Sequence, residues 1–348
     1  MRLKGVCYDT GTVYYFNWRP NFNPKIAHRE LEIIKADLHC NAVKISGFNV
    51  DRLMITAEDA LRQGLEVWLS PQLWDKSQQQ TIDYLVKVAG AAERLHKQWP
   101  ENIVFSVGSE STLFMQGILE GRNVQKRMAN QKNWTKAKAG EHNKPLNQFL
   151  KRANDSVRQV FHGKVTYAAL IWEAVDWDLF DLVCVDHYMV QKIKDQYVNM
   201  LKPLFEWHKP IIISEFGFRT YQGASSSSEG LAGDIIDHKT ELLHHVPLIG
   251  RLVRPRIRGN HVRDEGSQAR ELVDQLRVLY ATGVDGAFIS TFISPLSTYD
   301  DNPQYDLDMA SYSLVKSFAD NKRGNTYPDM TWEPKEAFKA ASEYYAKH

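Results

Sequence analysis

Two short stretches place a glutamate directly after an apolar run: Val107-Gly108-Ser109-Glu110 and Ile213-Ser214-Glu215-Phe216-Gly217. Two carboxyl groups held about 5 Å apart cleave a glycosidic bond with retention, one as proton donor and then base, the other as nucleophile at the anomeric carbon. Most glutamates are merely solvated, so the pair gains meaning only if the fold brings both to one cavity. Other groups at the ends of apolar runs would share that cavity: Tyr8 and Asp9, Lys44 and Ser46, Gln72 and Trp74, Trp172 and Glu173, Asp186, His187 and Tyr188, and Phe292. Aromatic rings beside carboxylates and amides suit a sugar, which presents apolar C–H faces and polar edges. The same rings also serve as ordinary core or rim packing.

Positioning these residues requires a repeated architecture. Eight short apolar runs recur at Leu3–Asp9, Ala42–Ser46, Glu66–Ser70, Ile103–Gly108, Val165–Ile171, Leu182–His187, Ile211–Glu215 and Gly286–Phe292. Near-continuous apolar runs mark strands buried on both faces. Amphipathic stretches lie between them, among them Ile26–Leu38, Ala57–Gln63, Thr81–Gln98 and Gln268–Thr282, the last followed by Gly283 as a helix stop. Strand alternating with helix in this way predicts an α/β fold, a single (β/α)8 TIM barrel spanning residues 1–348. Strand ends on one barrel share a mouth, where barrel enzymes build their sites.

The intervals after the fourth and seventh strands far exceed the roughly 30 residues of a βα unit. Long insertions are therefore expected at about 111–145 and 218–265. The second carries Ser225 to Ser228, read as a flexible surface turn. It also carries His238, His244 and His245, and the basic run Arg251, Arg254, Arg256, Arg258 and Arg263. A charge run is usually a solvated face; the functional alternative is a rim that favours an anionic sugar.

Composition removes several classes. Lys and Arg total 43 against 42 for Asp and Glu, leaving a net charge of +1, which does not fit a dedicated nucleic-acid binder. No apolar run approaches the roughly 18 residues that span a bilayer. The opening Met1-Arg2-Leu3-Lys4-Gly5-Val6 has no apolar leader segment. Cys7, Cys40 and Cys184 have no metal-ligand spacing and sit in apolar segments, so each is expected to be a buried, reduced thiol. These features predict a cytoplasmic protein without cofactor or metal, whose partner is a carbohydrate or glycoside and not nucleic acid or membrane. They leave its oligomeric state undetermined.

Glu110 after the fourth strand and Glu215 after the seventh resemble the clan A glycoside hydrolases, the superfamily of retaining (β/α)8 glycosidases. The resemblance runs from Gly5-Val6 to Trp332-Glu333-Pro334-Lys335-Glu336-Ala337-Phe338 and includes Ile34 to Lys44 at the entry to the second strand. It implies that Glu110 is the acid/base and Glu215 the nucleophile. Tyr188 would contact the nucleophile, with His187 beside it, and Tyr8, Asp9, Lys44, Trp74, Ser109, Trp172, Glu173 and Phe292 would complete the sugar site. Ser109 stands where the family has Asn, Lys44 where it has Arg, and Phe292 where it has Trp. The chain also resembles a group of bacterial TIM-barrel glycosidase-like proteins, some labelled "abortive infection".

Rival chemistries have weaker support. A metal-dependent barrel hydrolase wants His-x-His on the first strand, which here reads Cys7-Tyr8-Asp9-Thr10. Schiff-base chemistry needs a desolvated lysine, and Lys44 is the strand-end candidate. A different class of alternative is a carbohydrate-binding or defence-related barrel that has lost turnover. The substitutions at Ser109, Lys44 and Phe292 favour it, and the presence of both glutamates opposes it.

Overall fold

Strand β1 (Leu3–Asp9) pairs in parallel with two neighbours, one next in sequence and one from the far end of the chain, and so closes a barrel. The other staves are β2 (Ala42–Gly47), β3 (Glu66–Pro71), β4 (Ile103–Ser109), β5 (Lys164–Leu170), β6 (Val183–Asp186), β7 (Ile211–Phe216) and β8 (Gly286–Ile289). They stand in sequence order around a closed eight-stranded parallel barrel. This computed structural model describes residues 1–226, 235–246, 248, 250 and 252–348. The fold is the (β/α)8 barrel that the strand-helix alternation predicts.

Helices α1 (Pro24–Ala36), α2 (Val50–Arg62), α3 (Gln78–Gln98), α4 (Asn143–Val157), α5 (Glu265–Thr282) and α6 (Glu336–Lys347) pack outside the staves. Their ends follow local chemistry. Asn23 accepts a hydrogen bond from the Lys25 amide ahead of Pro24, Asn49 from the Arg52 amide, and Asp264 from the Ser267 amide. Ser77 and Gln80 form a reciprocal capping box at α3. The Asn49 cap is why α2 starts seven residues before the apolar stretch from Ala57. Gly283 ends α5 in the left-handed region, φ +80°.

Alternation within the strands divides the core in two. Val6, Tyr8, Val43, Ile45, Phe105, Tyr167 and Ile213 face outward and pack with the helices in one large cluster. Leu3, Cys7, Trp68, Val104, Cys184, Ile212 and Phe288 fill the barrel interior. The period of two along each strand decides which cluster a residue joins.

Between β4 and α4 the chain forms three short helices, Ser111–Phe114, Val124–Ala129 and Gln131–Lys138. After β7 it builds a small satellite core in which Tyr221, Ile235, Ile236 and Ile257 pack on Leu307 and Met309 from the segment after β8. Arg263 ties the two segments by ion pairs to Asp306 (2.9 Å) and Asp308 (2.8 Å). Lys335, wholly buried, pairs with Asp308 at 2.8 Å. Three arginines of the basic run enter local ion pairs: besides Arg263, Arg256 pairs with Asp237 at 3.2 Å, and Arg254 pairs with Asp300 and covers the Tyr305 ring. Arg251 lies outside the described residues, as do Ser227 and Ser228 of the serine turn. Ser225 is anchored, its hydroxyl donating to Glu271 at 2.8 Å. Among the described residues no helix is long and apolar enough to cross a membrane. Cys7, Cys40 and Cys184 are buried free thiols.

Candidate active site

Lys44 lies at the centre of the mouth. It projects from β2 into the barrel, beside Cys7 in register, with its side chain only 4% exposed. Its Nζ donates to Glu215 Oε1 at 2.9 Å and lies 3.7 Å from Asp186 Oδ1. The neighbouring anions hold its ammonium well above the usual lysine range, despite the opposing effect of burial. Tyr188 donates to the other oxygen of Glu215 at 2.8 Å. Glu215 therefore has a donor on each oxygen, which fixes the orientation of its carboxyl group.

Ordinary alternation would turn Glu215 outward, because Ile211 and Ile213 already face the helices. The register instead slips between Ile213 and Glu215 against β6. A bulge of this kind re-aims a side chain, and it turns both Ser214 and Glu215 toward the interior. Ser214 Oγ donates to Asp186 Oδ1 at 2.5 Å, and Ser109 Oγ donates to Asp186 Oδ2 at 3.2 Å. Asp186 is wholly buried, and burial pushes its carboxyl up to about 6 while Lys44 pulls the other way.

Glu110 ends β4 in the left-handed region, φ +47° and ψ +41°. A non-glycine residue there costs on the order of 1–3 kcal/mol and persists only where its surroundings hold it. Three backbone donors do so. The Glu110 amide donates to the Ala168 carbonyl at 2.9 Å, the Ser111 amide to the Tyr167 hydroxyl at 2.7 Å, and the Thr112 amide to Glu173 at 3.2 Å. Among the described residues the Glu110 carboxyl has no side-chain hydrogen bond. Desolvation raises its pKa well above the usual carboxylate range, and the charges of Asp186, Glu215 and Glu173 add to the effect. The two glutamates thus sit in opposite environments, one given donors and one denied them.

The remaining residues expected at the site divide into four groups. Ser109, Lys44 and Tyr188 join the two glutamates. Asp9 lies at the mouth but is occupied with its own loop, accepting from the amides of Gly11 (2.7 Å) and Thr12 (2.9 Å) and from Ser46 Oγ (3.1 Å). Glu173 lies behind the Glu110 turn, its carboxyl raised to about 7 by burial and bonded to Tyr167 at 3.0 Å and to the Leu170 amide at 2.9 Å. Trp172 packs edge-on against His142 of the first insertion at 4.8 Å.

Tyr8, His187 and Phe292 are not brought to the mouth. Tyr8 donates to Glu30 of α1 at 2.5 Å behind the barrel wall. Phe292, fully buried, packs edge-on against Trp332 at 5.4 Å. His187 stacks on Tyr197 at 3.8 Å, and burial lowers its pKa to about 4. Strand parity explains Tyr8, which faces the same way as Val6. Phe292 lies three residues past Ile289, where β8 ends, so strand alternation no longer sets its direction, and it joins the outer core.

Trp74 lines a cleft beside Ser109 together with Gln72, Tyr84, Phe114 and Met115. Its ring stacks on Phe114 at 3.9 Å and 7°, and Trp18 meets it edge-on at 5.1 Å. Its Nε1 donates to Gln72 at 2.9 Å. Phe114 and Trp18 were not visible as site residues, since neither ends an apolar run. Asp186, expected among the strand-end groups, comes to the site with the inward parity of Cys184; Ser214 was not expected there as a site residue. Among the described residues no group of three or more His, Cys, Asp or Glu side chains could hold a metal ion.

No protein-family model matches the sequence, and no curated protein matches it. Solved structures do match the fold. Two structures of a GH113 β-1,4-mannanase give TM-scores of 0.59 and 0.61 at 14% and 15% identity, covering 99% and 100% of this chain and 99% of theirs. The chain has the barrel fold of known glycosidases. PbGH5A, a glycoside hydrolase family 5 enzyme from Prevotella bryantii B14, gives 0.51 at 13% identity over 99% of this chain and 96% of its own. A Bacteroides uniformis β-glucuronidase gives 0.57 at 15% identity over all of this chain and 35% of its own. The expected likeness to bacterial barrel proteins labelled "abortive infection" finds no support in these comparisons.

Proposed function

We propose that the protein is a glycoside hydrolase that cleaves a glycosidic bond by double displacement, with Glu215 as nucleophile and Glu110 as acid/base. The observation that carries the reading is the contrast between the two carboxyl groups. Glu215 accepts from Lys44 on one oxygen and from Tyr188 on the other, which holds it in one orientation as a nucleophile needs. Glu110 is desolvated, lacks a donor among the described residues and has a raised pKa, as a group that must bring a proton should. Fold likeness to glycosidases supports the substrate class, a carbohydrate or glycoside, with Trp74 as an aromatic face beside the cleft.

In this reading the Glu110 carboxyl protonates the glycosidic oxygen as a Glu215 oxygen attacks the anomeric carbon, and the aglycone leaves as an alcohol. Glu110, now a carboxylate, takes a proton from water. That water attacks the same carbon and releases Glu215, giving retained configuration after two inversions.

Chemical rescue tests the roles. In Glu215→Gly, azide should restore cleavage of an activated aryl glycoside and give a glycosyl azide of inverted configuration, because one displacement occurs. In Glu110→Ala the nucleophile survives, and azide should give the retained product. Full activity in both variants would place the chemistry elsewhere. Sugar binding without turnover in the native protein would favour a binding barrel.

A further inference from the structure

Asp186 is the buried acid to which both halves of the site are wired. Its side chain is 1% exposed, and it stands beside Glu215 in register across β6 and β7. Ser109, which donates to one of its oxygens, immediately precedes Glu110; Ser214, which donates to the other, immediately precedes Glu215. Lys44 completes the set, 3.7 Å from Asp186 and 2.9 Å from Glu215.

We propose that Asp186 is a positioning residue that keeps the proton on Glu110, by holding a negative charge bonded to Ser109 and Ser214, the residues that precede the two glutamates, and by sharing Lys44 with Glu215. This role rests on the two-glutamate reading of the site. Lys44 brings one positive charge to two carboxylates, so Asp186 takes part of what would otherwise act on Glu215 and Glu110. The charge lies where water does not reach, so salt and solvent screen it little.

The groups that face Glu110 are Asp186, Glu215 and Glu173, which raise its pKa, and Lys44, which lowers it. After desolvation, Asp186 is the largest of these influences, ahead of Glu215. Asp186 itself faces Lys44, Glu215, Ser214 and Ser109, and its carboxyl is pushed up to about 6 by burial. Cys7 and Cys184 lie near Lys44, their thiols driven up by burial and therefore neutral. Asp186 is thus ionised above pH 6 and neutral below it; Glu173, raised to about 7 by burial, titrates higher, and the same titration in Glu173→Gln tells the two apart.

The test reads Glu110 directly. Ligand-free protein carrying 13C-labelled glutamate is titrated by NMR, with the Glu110 carboxyl assigned through Glu110→Gln, and kcat/KM is followed against pH on an activated aryl glycoside. In the native protein the Glu110 signal should show an inflection near pH 6 as Asp186 gains its proton, separate from its own higher midpoint. In Asp186→Asn, which keeps the shape and removes the charge, the inflection near pH 6 should vanish while the one Glu173 imposes near 7 stays. The Glu110 midpoint and the basic limb of kcat/KM should both move toward acid by roughly one pH unit or more. A native titration with no inflection near pH 6, or a Glu110 midpoint unchanged in Asp186→Asn, overturns the proposal. The native titration decides even if the variant fails to fold. Absence of turnover on every glycoside, with the Glu110 shifts present, would overturn the glycosidase reading alone.

Discussion

Replacing Lys44 by methionine keeps the buried stem and removes the charge that touches both Asp186 and Glu215. Glu215 is 28% exposed and recovers part of its hydration, whereas Asp186 is 1% exposed and cannot. The cost therefore falls on Asp186. Its carboxyl stands at about 6 in the native protein with Lys44 lowering it, and loss of an adjacent opposite charge raises an acid by about 1–3 units, to roughly 7–9. Between pH 6 and that value the native folded state has shed the Asp186 proton and the folded variant retains it, while both unfolded chains are ionised. The variant then binds the extra proton only when folded, so its stability falls as pH rises, by about 1.4 kcal/mol per pH unit relative to the native protein. Below pH 6 both folded states hold the proton and the gap is flat. If the variant's Asp186 titrates above pH 8, the gap at pH 8 exceeds that at pH 5 by roughly 3 kcal/mol. Urea denaturation at pH 5, 6, 7 and 8, followed by tryptophan fluorescence and circular dichroism, measures it. A stability difference that stays constant from pH 5 to 8 would refute the reasoning. Lys44→Arg, which restores the charge, should remove most of the slope.

Two further expectations follow from the site and the core. Trp74→Ala should raise KM for an oligosaccharide by about 5- to 30-fold, the equivalent of roughly 1–2 kcal/mol of lost aromatic contact, while leaving kcat less affected; Trp74→Phe should recover much of it, and an unchanged KM in the alanine variant would remove Trp74 from the binding surface. Cys7, Cys40 and Cys184 are buried and their thiols are raised by burial, so an aromatic disulfide reagent at pH 8 should find no reactive thiol in the native state and all three in urea; a fast native reaction would place one of them on the surface.

Much of this was legible without coordinates, and for a physical reason. Strands buried on both faces must be apolar almost throughout, so the eight staves announce themselves as runs, and all eight coincide with the expected ones to within a few residues. Caps such as Asn49 and Asp264, and the stop at Gly283, are local chemistry that a sequence carries in full. The two glutamates were marked by their place at the ends of the fourth and seventh runs. Treating every strand-end residue as facing the mouth was less successful. Tyr8 has outward parity, and Phe292 follows the end of β8 where alternation no longer applies; both went to the core between barrel and helices. His187 turned to stack on Tyr197.

Tertiary structure alone decided how the carboxyl groups differ. Period-two alternation would have turned Glu215 to the helices, and only pairing with β6 reveals the slip that turns it inward beside Ser214. The left-handed turn at Glu110 depends on Tyr167, Ala168 and Glu173, residues more than fifty positions away that meet it across β5. The meeting of Lys44, Asp186 and Glu215 unites β2, β6 and β7 through the closed barrel. Burial and charge pairing are set by neighbours distant in the chain, so the sequence by itself determined which groups stand at the strand ends, and the closed, locally slipped sheet determined which carboxyl group is given donors and which is left without.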